Sequence, residues 1–407
     1  MKFSNDVNKL YAEGAFVWGD YAINQEKTSG KPVLKLQIGQ PDFLPHPLIR
    51  QAIADAFIEG KTGYGPPLGM DAMRVAVAQE VQHYYKKAKI TKDNVAITSG
   101  GGKSAIGVIC RALINKDEKV LVPCYDYPGH LGGISDVGAV WKPYRLLPEK
   151  NYDIDVVDLE KQVKKIKPKT IIILSPGNPT GGAASYEALK RVAFLAKKYD
   201  LNIIADEIYR GHVFDNDFVS IMDFPGMDKR TVVIDGPGKR NCLPGVRMGY
   251  IIGPAKFIDG PVRTINNVRF SCPETPVQIG LTKTINNPKV IKYIEEMRIE
   301  FKKRRDYVVD TLNSMPGVTC PKPGGAFYVF PDISKTGLTG DQFAKKLLKE
   351  KNVCVLPGES FGGGMIDPTI KKPYGTYCVR ISIASSIETL KEALSRMKDF
   401  IVSNHLA

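Results

Sequence analysis

The sequence predicts an α/β protein in which a mainly parallel, seven-stranded, doubly wound sheet is accompanied by a smaller α+β domain. The first observation is a rhythm of apolar strand, loop and helix that recurs from about residue 94 to residue 255, the pattern of successive βαβ units. The second is that most of these strands are near-continuous apolar runs, as in sheets buried on both faces. The third is a long charged helix candidate over residues 288–315, followed only by shorter strand signals. A chain of 407 residues also exceeds what one hydrophobic core usually organises.

The expected strands of the large sheet are Val95 to Thr98, Lys119 to Val122, Val140 to Tyr144, Thr170 to Leu174, Asn202 to Ala205, Thr231 to Ile234 and Met248 to Ile252. Helical stretches such as Tyr186 to Tyr199 stand between several of them. The later strand signals are Ala326 to Phe330, Val353 to Leu356 and Tyr377 to Ile383. The expected division is a large domain over 49–289 and a small C-terminal domain over 290–407, which the N-terminal segment 1–48 joins.

Composition narrows the function classes. Apolar runs are far too short to cross a bilayer, and the first residues lack the apolar core of a signal peptide, so a cytoplasmic protein away from membranes is expected. The seven cysteines never form a CxxC pair, which argues against a disulfide framework and against a metal site. The net charge of +14 raises the question of nucleic acid. Its lysines are spread as pairs such as Lys86-Lys87 and Lys164-Lys165 through helical stretches, without aromatic interleaving, which reads as a solvated surface rather than a nucleic-acid face.

Parallel sheets bind ligands beyond the carboxyl ends of their strands. Four polar or glycine-rich segments sit at such ends: residues 99–104 (SGGGKS), 175–181 (SPGNPTG), 206–209 (DEIY) and 235–239 (DGPGK). The glycines let backbone approach an anion, and a helix starting near Lys103 points its free N–H groups there, which predicts a phosphate. The first glycine of a Walker A loop is missing, since Ile97 occupies that place. Asp206 ends a buried strand and needs a cation or donors, such as a protonated pyridine nitrogen; it could equally cap the next helix. Tyr209 follows one turn later. Lys239, near Arg240 and Arg247, has the neighbourhood that a Schiff-base lysine requires.

In this order, these pieces resemble the class I/II aminotransferases, fold-type I enzymes that use pyridoxal 5'-phosphate. The likeness includes residues 33–43 (VLKLQIGQPDF), Gly63-Tyr64-Gly65, residues 123–128 (PCYDYP), SPGNPTG, 205–211 (ADEIYRG), 238–250 (GKRNCLPGVRMGY), 323–331 (PGGAFYVFP), 355–362 (VLPGESFG) and 379–386 (VRISIASS). It implies an aspartate-aminotransferase-like fold. It also implies that amino groups pass between an L-amino acid and a 2-oxo acid. Lys239 would bind the cofactor as a Schiff base and then move the proton at the substrate Cα. Asp206 would pair with the ring nitrogen, and Tyr209 and Asn178 with the ring oxygen, while Tyr127 stacks on the ring. Gly101, Gly102, Lys103 and Arg247 would hold the phosphate. Tyr64 would reach the phosphate of a neighbouring subunit, making a homodimer. Arg380 would take the substrate α-carboxylate, helped by Gly39 and Asn178.

The sequence departs from the family beside its central lysine. Gly236-Pro237-Gly238 replaces the usual S-x-S, so a hydroxyl that normally joins the phosphate site is missing; glycine N–H groups or Arg240 are expected to replace it. That departure keeps sister reactions on this scaffold in play: elimination, decarboxylation, cyclisation and oxidation. A nicotinamide dehydrogenase is the competing class, because Gly100, Gly102 and Ala105 fit G-x-G-x-x-A. It lacks a correctly placed ribose-binding acid after the next strand, and it leaves Asp206 and Lys239 unexplained. Phe16, Trp18 and Tyr21 in the N-terminal segment are candidates to close over a substrate side chain.

Overall fold

A computed structural model describes Met1 and residues 4–406. Its large sheet has seven strands: β1 (Val95–Ser99), β2 (Lys119–Pro123), β3 (Val140–Tyr144), β4 (Thr170–Leu174), β5 (Asn202–Asp206), β6 (Thr231–Asp235) and β7 (Met248–Ile252). Their order across the sheet is β1-β7-β6-β5-β4-β2-β3. All neighbours run parallel except β7, which is antiparallel to both β1 and β6. Each predicted strand of this sheet is present, within a residue of its expected ends; the later ones are shorter than expected, with Ala326 to Phe330 reduced to Tyr328–Val329, Tyr377 to Ile383 to Val379–Ser382, and Val353 to Leu356 split into Val353–Cys354 and Leu356–Pro357.

The continuous apolar runs have a physical reason. Alternate residues point to opposite faces of a strand. Here Ile171, Ile173, Ile203 and Ala205 enter one core, while Ile172 and Ile204 enter a second core on the other face. Helices cover both faces, so the inner positions of these strands are shut off from water, with Lys119 exposed only at the start of β2. The exception is β3 at the sheet edge, where Val140 and Lys142 are exposed. Pro143 is tolerated there because an edge strand leaves one row of backbone groups unpaired.

The long helix Pro288–Asn313 buries a stripe through Val290, Ile294, Met297, Phe301, Val308 and Leu312. Its Arg304 reaches Asp42 at 2.8 Å and the Ser385 carbonyl at 2.7 Å, tying the N-terminal segment to the C-terminal layer. Leu34–Lys35 likewise pairs in parallel with Val353–Cys354. A three-stranded antiparallel sheet is built from Tyr328–Val329, Leu356–Pro357 and Val379–Ser382, with the last in the middle. It delivers Tyr328 and Arg380 to the crevice at the edge of the large sheet. No helix among the described residues is long and apolar enough to cross a membrane.

Candidate active site

Strands β1, β6, β5 and β4 end on the same edge of the sheet, so the four predicted loops open onto one crevice. The reversed strand completes it: Met248, at the start of β7, stands opposite Ser99, at the end of β1. Arg247 therefore lies among the strand ends. The crevice encloses about 310 Å³, within the usual range of ligand pockets. Gly39, Gly101, Gly102, Lys103, Tyr127, Asn178, Asp206, Tyr209, Lys239, Arg247 and Arg380 all line it. Tyr64 does not; it stands 94% exposed on the surface.

At one end lies an anion cradle. Gly100 and Gly101 take positive φ values of 89° and 75°, which turn the chain from β1 into the helix Gly101–Leu113. The Gly101 N–H donates to the Arg247 carbonyl at 2.8 Å. That leaves the first-turn N–H groups of Gly102 and Lys103, which have no intrahelical partner, to face an anion. The Arg247 guanidinium packs against the same loop and donates to Gly100 O at 2.8 Å. The Lys103 side chain turns elsewhere, to Glu13 at 2.7 Å.

In the middle, Asp206 is buried and accepts from His130 Nε2 at 3.1 Å. His130 Nδ1 faces Asp126 at 2.8 Å. Burial alone would strip the proton from His130, but the carboxylates of Asp126 and Asp206 outweigh it and lift the imidazole to about 10. Two carboxylates around one imidazolium leave one net negative charge at the floor of the crevice, suited to a protonated ring nitrogen. Sequence reading missed Asp126 and His130, although both flank the quoted Tyr127. Gly129 leaves room for that tyrosine: a Cβ there would come within 2.3 Å of the Tyr127 ring.

Lys239 Nζ donates to the Gly39 carbonyl at 2.7 Å and lies 5.9 Å from the Tyr209 ring and 5.6 Å from the Phe327 ring. The Tyr209 hydroxyl meets the Tyr328 hydroxyl at 3.0 Å. Burial, with Tyr328 beside it, pushes the Tyr209 phenol well above its ordinary range, so it remains a donor at neutral pH. Tyr328 is a third residue that sequence reading missed. It also explains Gly39, because a Cβ at 39 would fall 1.7 Å from the Tyr328 hydroxyl. Arg380, 3% exposed, donates to Asn178 Oδ1 at 2.8 Å and to the Gln37 carbonyl, while its Nε has no partner. A buried guanidinium edge left open in this way suits a carboxylate.

The glycine at the lysine loop is also explained. A Cβ on Gly236 would approach the Met248 carbonyl to 2.9 Å, so backbone occupies the space that a serine would need. The expectation that Arg240 replaces the lost hydroxyl is not met. Arg240 is 1% exposed and turns away from the crevice, with Nε 3.0 Å from Glu80 Oε1 and a second nitrogen 2.8 Å from Glu80 Oε2. The Glu80 carboxylate therefore balances its charge away from the crevice. Of the three aromatics in the N-terminal segment, Phe16 lines the crevice mouth; Trp18 is buried in the core and Tyr21 rests against it.

Residues 31–397 match the family model for aminotransferase class I and II. The chain belongs to that family. A putative aminotransferase from Bacillus subtilis (strain 168) is 33% identical over 98% of both chains. An aspartate aminotransferase from Pyrococcus abyssi is 32% identical, covering 90% of this chain and 91% of its own. The crystal structure of an aromatic aminotransferase from Pyrococcus horikoshii superposes with a TM-score of 0.85 at 30% identity, covering 95% of this chain and all of the other. The fold is that of these enzymes, and the protein is a pyridoxal-phosphate-dependent aminotransferase. The residues present fit the cofactor: a net negative floor, a lysine, and a helix start beside an arginine.

Proposed function

We propose that this aminotransferase takes the amino group from an L-amino acid with an uncharged, apolar or aromatic side chain and gives it to a 2-oxo acid. Bound pyridoxal phosphate supplies an electron sink that acidifies the substrate Cα–H. Lys239 would hold the cofactor covalently, and its Nζ is the group placed to take the proton from the substrate Cα and hand it back. Asp206, backed by His130 and Asp126, keeps the ring nitrogen protonated. Tyr209 and Asn178 bind the ring oxygen, and Tyr127 stacks on the ring. Gly101 shapes the turn that aims the Gly102 and Lys103 N–H groups at the phosphate, and Arg247 pairs with it. Arg380 takes the α-carboxylate, helped by Asn178 and the open backbone at Gly39.

The choice of side chain rests on one contact. Lys103, a cation lining the crevice, is held by Glu13 at 2.7 Å, and the Tyr127 hydroxyl lies 3.4 Å from the same carboxylate oxygen. A dicarboxylate substrate would have to displace Glu13, whereas Phe16 and Ile38 offer apolar surface beside it. The names of the relatives span aspartate and aromatic amino acids; this pairing favours the second kind. We place Tyr64 at the phosphate of a second copy. The exposed apolar side chains of Phe57 and Ile58 nearby in the chain support a homodimer, and unpaired cysteines support a cytoplasmic setting.

The test mixes the loaded enzyme with a panel of amino acids and follows the visible band of the lysine-bound cofactor, with mass analysis of the products. Phenylalanine or leucine should bleach the band and yield the 2-oxo acid, and Lys239→Ala should lack the band. Release of carbon dioxide, or of ammonia without the aminated cofactor, would overturn transamination. Preference for aspartate over neutral substrates would overturn the side-chain reading.

A further inference from the structure

Outside the crevice, two arginines and two acids close a ring inside the protein. Arg240 donates from Nε to Glu80 at 3.0 Å, and a second nitrogen lies 2.8 Å from the other carboxylate oxygen. Glu80 also meets Arg210 at 3.4 Å, Arg210 donates to Asp235, and Asp235 lies 3.5 Å from Arg240. All four are buried, at most 4% exposed. Charges alternate around the ring and cancel. The Tyr84 ring covers both guanidinium groups at 5.1 and 6.0 Å. Gly211 is small where it must be, since a Cβ there would come 2.9 Å from Arg240 Cδ.

What the ring joins gives it meaning. Arg210 directly follows Tyr209, and Arg240 directly follows Lys239. Asp235 is the last residue of β6, at the base of the Lys239 loop. Between Asp235 and Lys239 stand only glycine and proline, so the loop has no side-chain hydroxyl with which to fasten itself. We propose that the ring of Glu80, Arg210, Asp235 and Arg240 is the device that positions Lys239 against Tyr209, with Arg240 as its key positioning residue. Both ends of the lysine loop, and the residue after Tyr209, are tied to one helix through Glu80, so the lysine nitrogen keeps a fixed height over the ring of Tyr209. The inference rests on Lys239 being the cofactor lysine.

Removing one arginine would strand a buried carboxylate and threaten folding. The better variant is the double change Arg240→Met with Glu80→Met, which leaves Arg210 and Asp235 as a balanced pair. Three quantities are read: the melting temperature of the cofactor-free protein, the pH midpoint of the visible band in the loaded protein, and kcat and KM separately. A displaced lysine should lower kcat about tenfold or more with KM within about twofold, the signature of an interaction made at the transition state. The band midpoint should move by about one pH unit as the lysine nitrogen changes surroundings. Arg240→Lys keeps the charge but loses the Nε hydrogen bond to Glu80; its midpoint should move in the same direction by less. A folded double variant with the parent's kcat and midpoint would overturn the proposal. If the double variant does not fold, an unmoved midpoint in Arg240→Lys overturns it. A parent protein without a band that depends on Lys239 would instead remove the functional reading on which this rests.

Discussion

Replacing His130 with Gln should weaken the fold by an amount that depends on pH. His130 is sealed between Asp126 at 2.8 Å and Asp206 at 3.1 Å, with no exposed surface. Its lift from an ordinary 6.5 to about 10 amounts to about 5 kcal/mol at about 1.4 kcal/mol per pKa unit. Burial pushes Asp126 up at the same time, so part of that gain offsets the cost of holding the acid charged. The net loss on substitution is about 3–5 kcal/mol, as for other buried ion pairs broken from one side. The folded pKa is the higher one, so the stabilisation is whole below about pH 6.5 and is lost as pH rises through about 10. Urea denaturation of the cofactor-free protein across that window gives the measurement. The parent should lose its advantage over His130→Gln as the pH rises, and the two should converge near its upper end. A difference below about 1 kcal/mol at neutral pH, or one that does not shrink towards pH 10, would refute an imidazolium between two carboxylates.

Other substitutions probe the site at separate points. Arg380→Lys loses the open Nε and the planar guanidinium and should lower kcat/KM for every amino acid by about 10–100-fold, the worth of a charged hydrogen bond; initial rates against substrate concentration show it. Gly39→Ala drives a methyl against the buried Tyr328 hydroxyl and separates it from Tyr209, so kcat should fall roughly tenfold, about one hydrogen bond lost. Burial pushes Glu207 up to about 7 even with the Tyr85 and Ser220 hydroxyls bonded to it, so its folded pKa lies above its unfolded one and stability falls as pH rises from about 4.5 to about 7. Glu207→Gln should match the parent at pH about 4.5 and exceed it by about 3 kcal/mol at pH 8, again by denaturation. Glu13→Gln frees Lys103, and kcat/KM for aspartate should rise about two- to fivefold relative to phenylalanine, the scale of one exposed charge pair gained in a crevice; an unchanged ratio would remove Glu13 from side-chain selection.

Much of this was legible in the sequence because it depends on local pattern. A strand buried on both faces must be apolar at every position, and a loop at its end must be polar, so Thr170–Leu174 followed by SPGNPTG declares both structure and placement. What escaped depends on packing between distant segments. His130 matters because the helix Pro128–Asp136 lies under Asp206, and nothing in PCYDYPGH specifies that. Glu13 meets Lys103 across 90 positions of chain. Arg240 was misread because adjacency to Lys239 gives no direction: successive side chains on a helical turn diverge, and this one leaves the crevice for Glu80.

The reversed strand β7 sets an order of events in the making of the protein. The glycine turn after β1 and Arg247 before β7 form the two sides of one cradle, yet about 150 residues of chain separate them. No nascent chain that stops short of Arg247 can contain the cradle, and β7 must follow to hold Arg247 beside the turn. Cofactor capture is thereby reserved for chains whose large sheet is finished, and ligand binding then favours that finished state over any fragment by mass action.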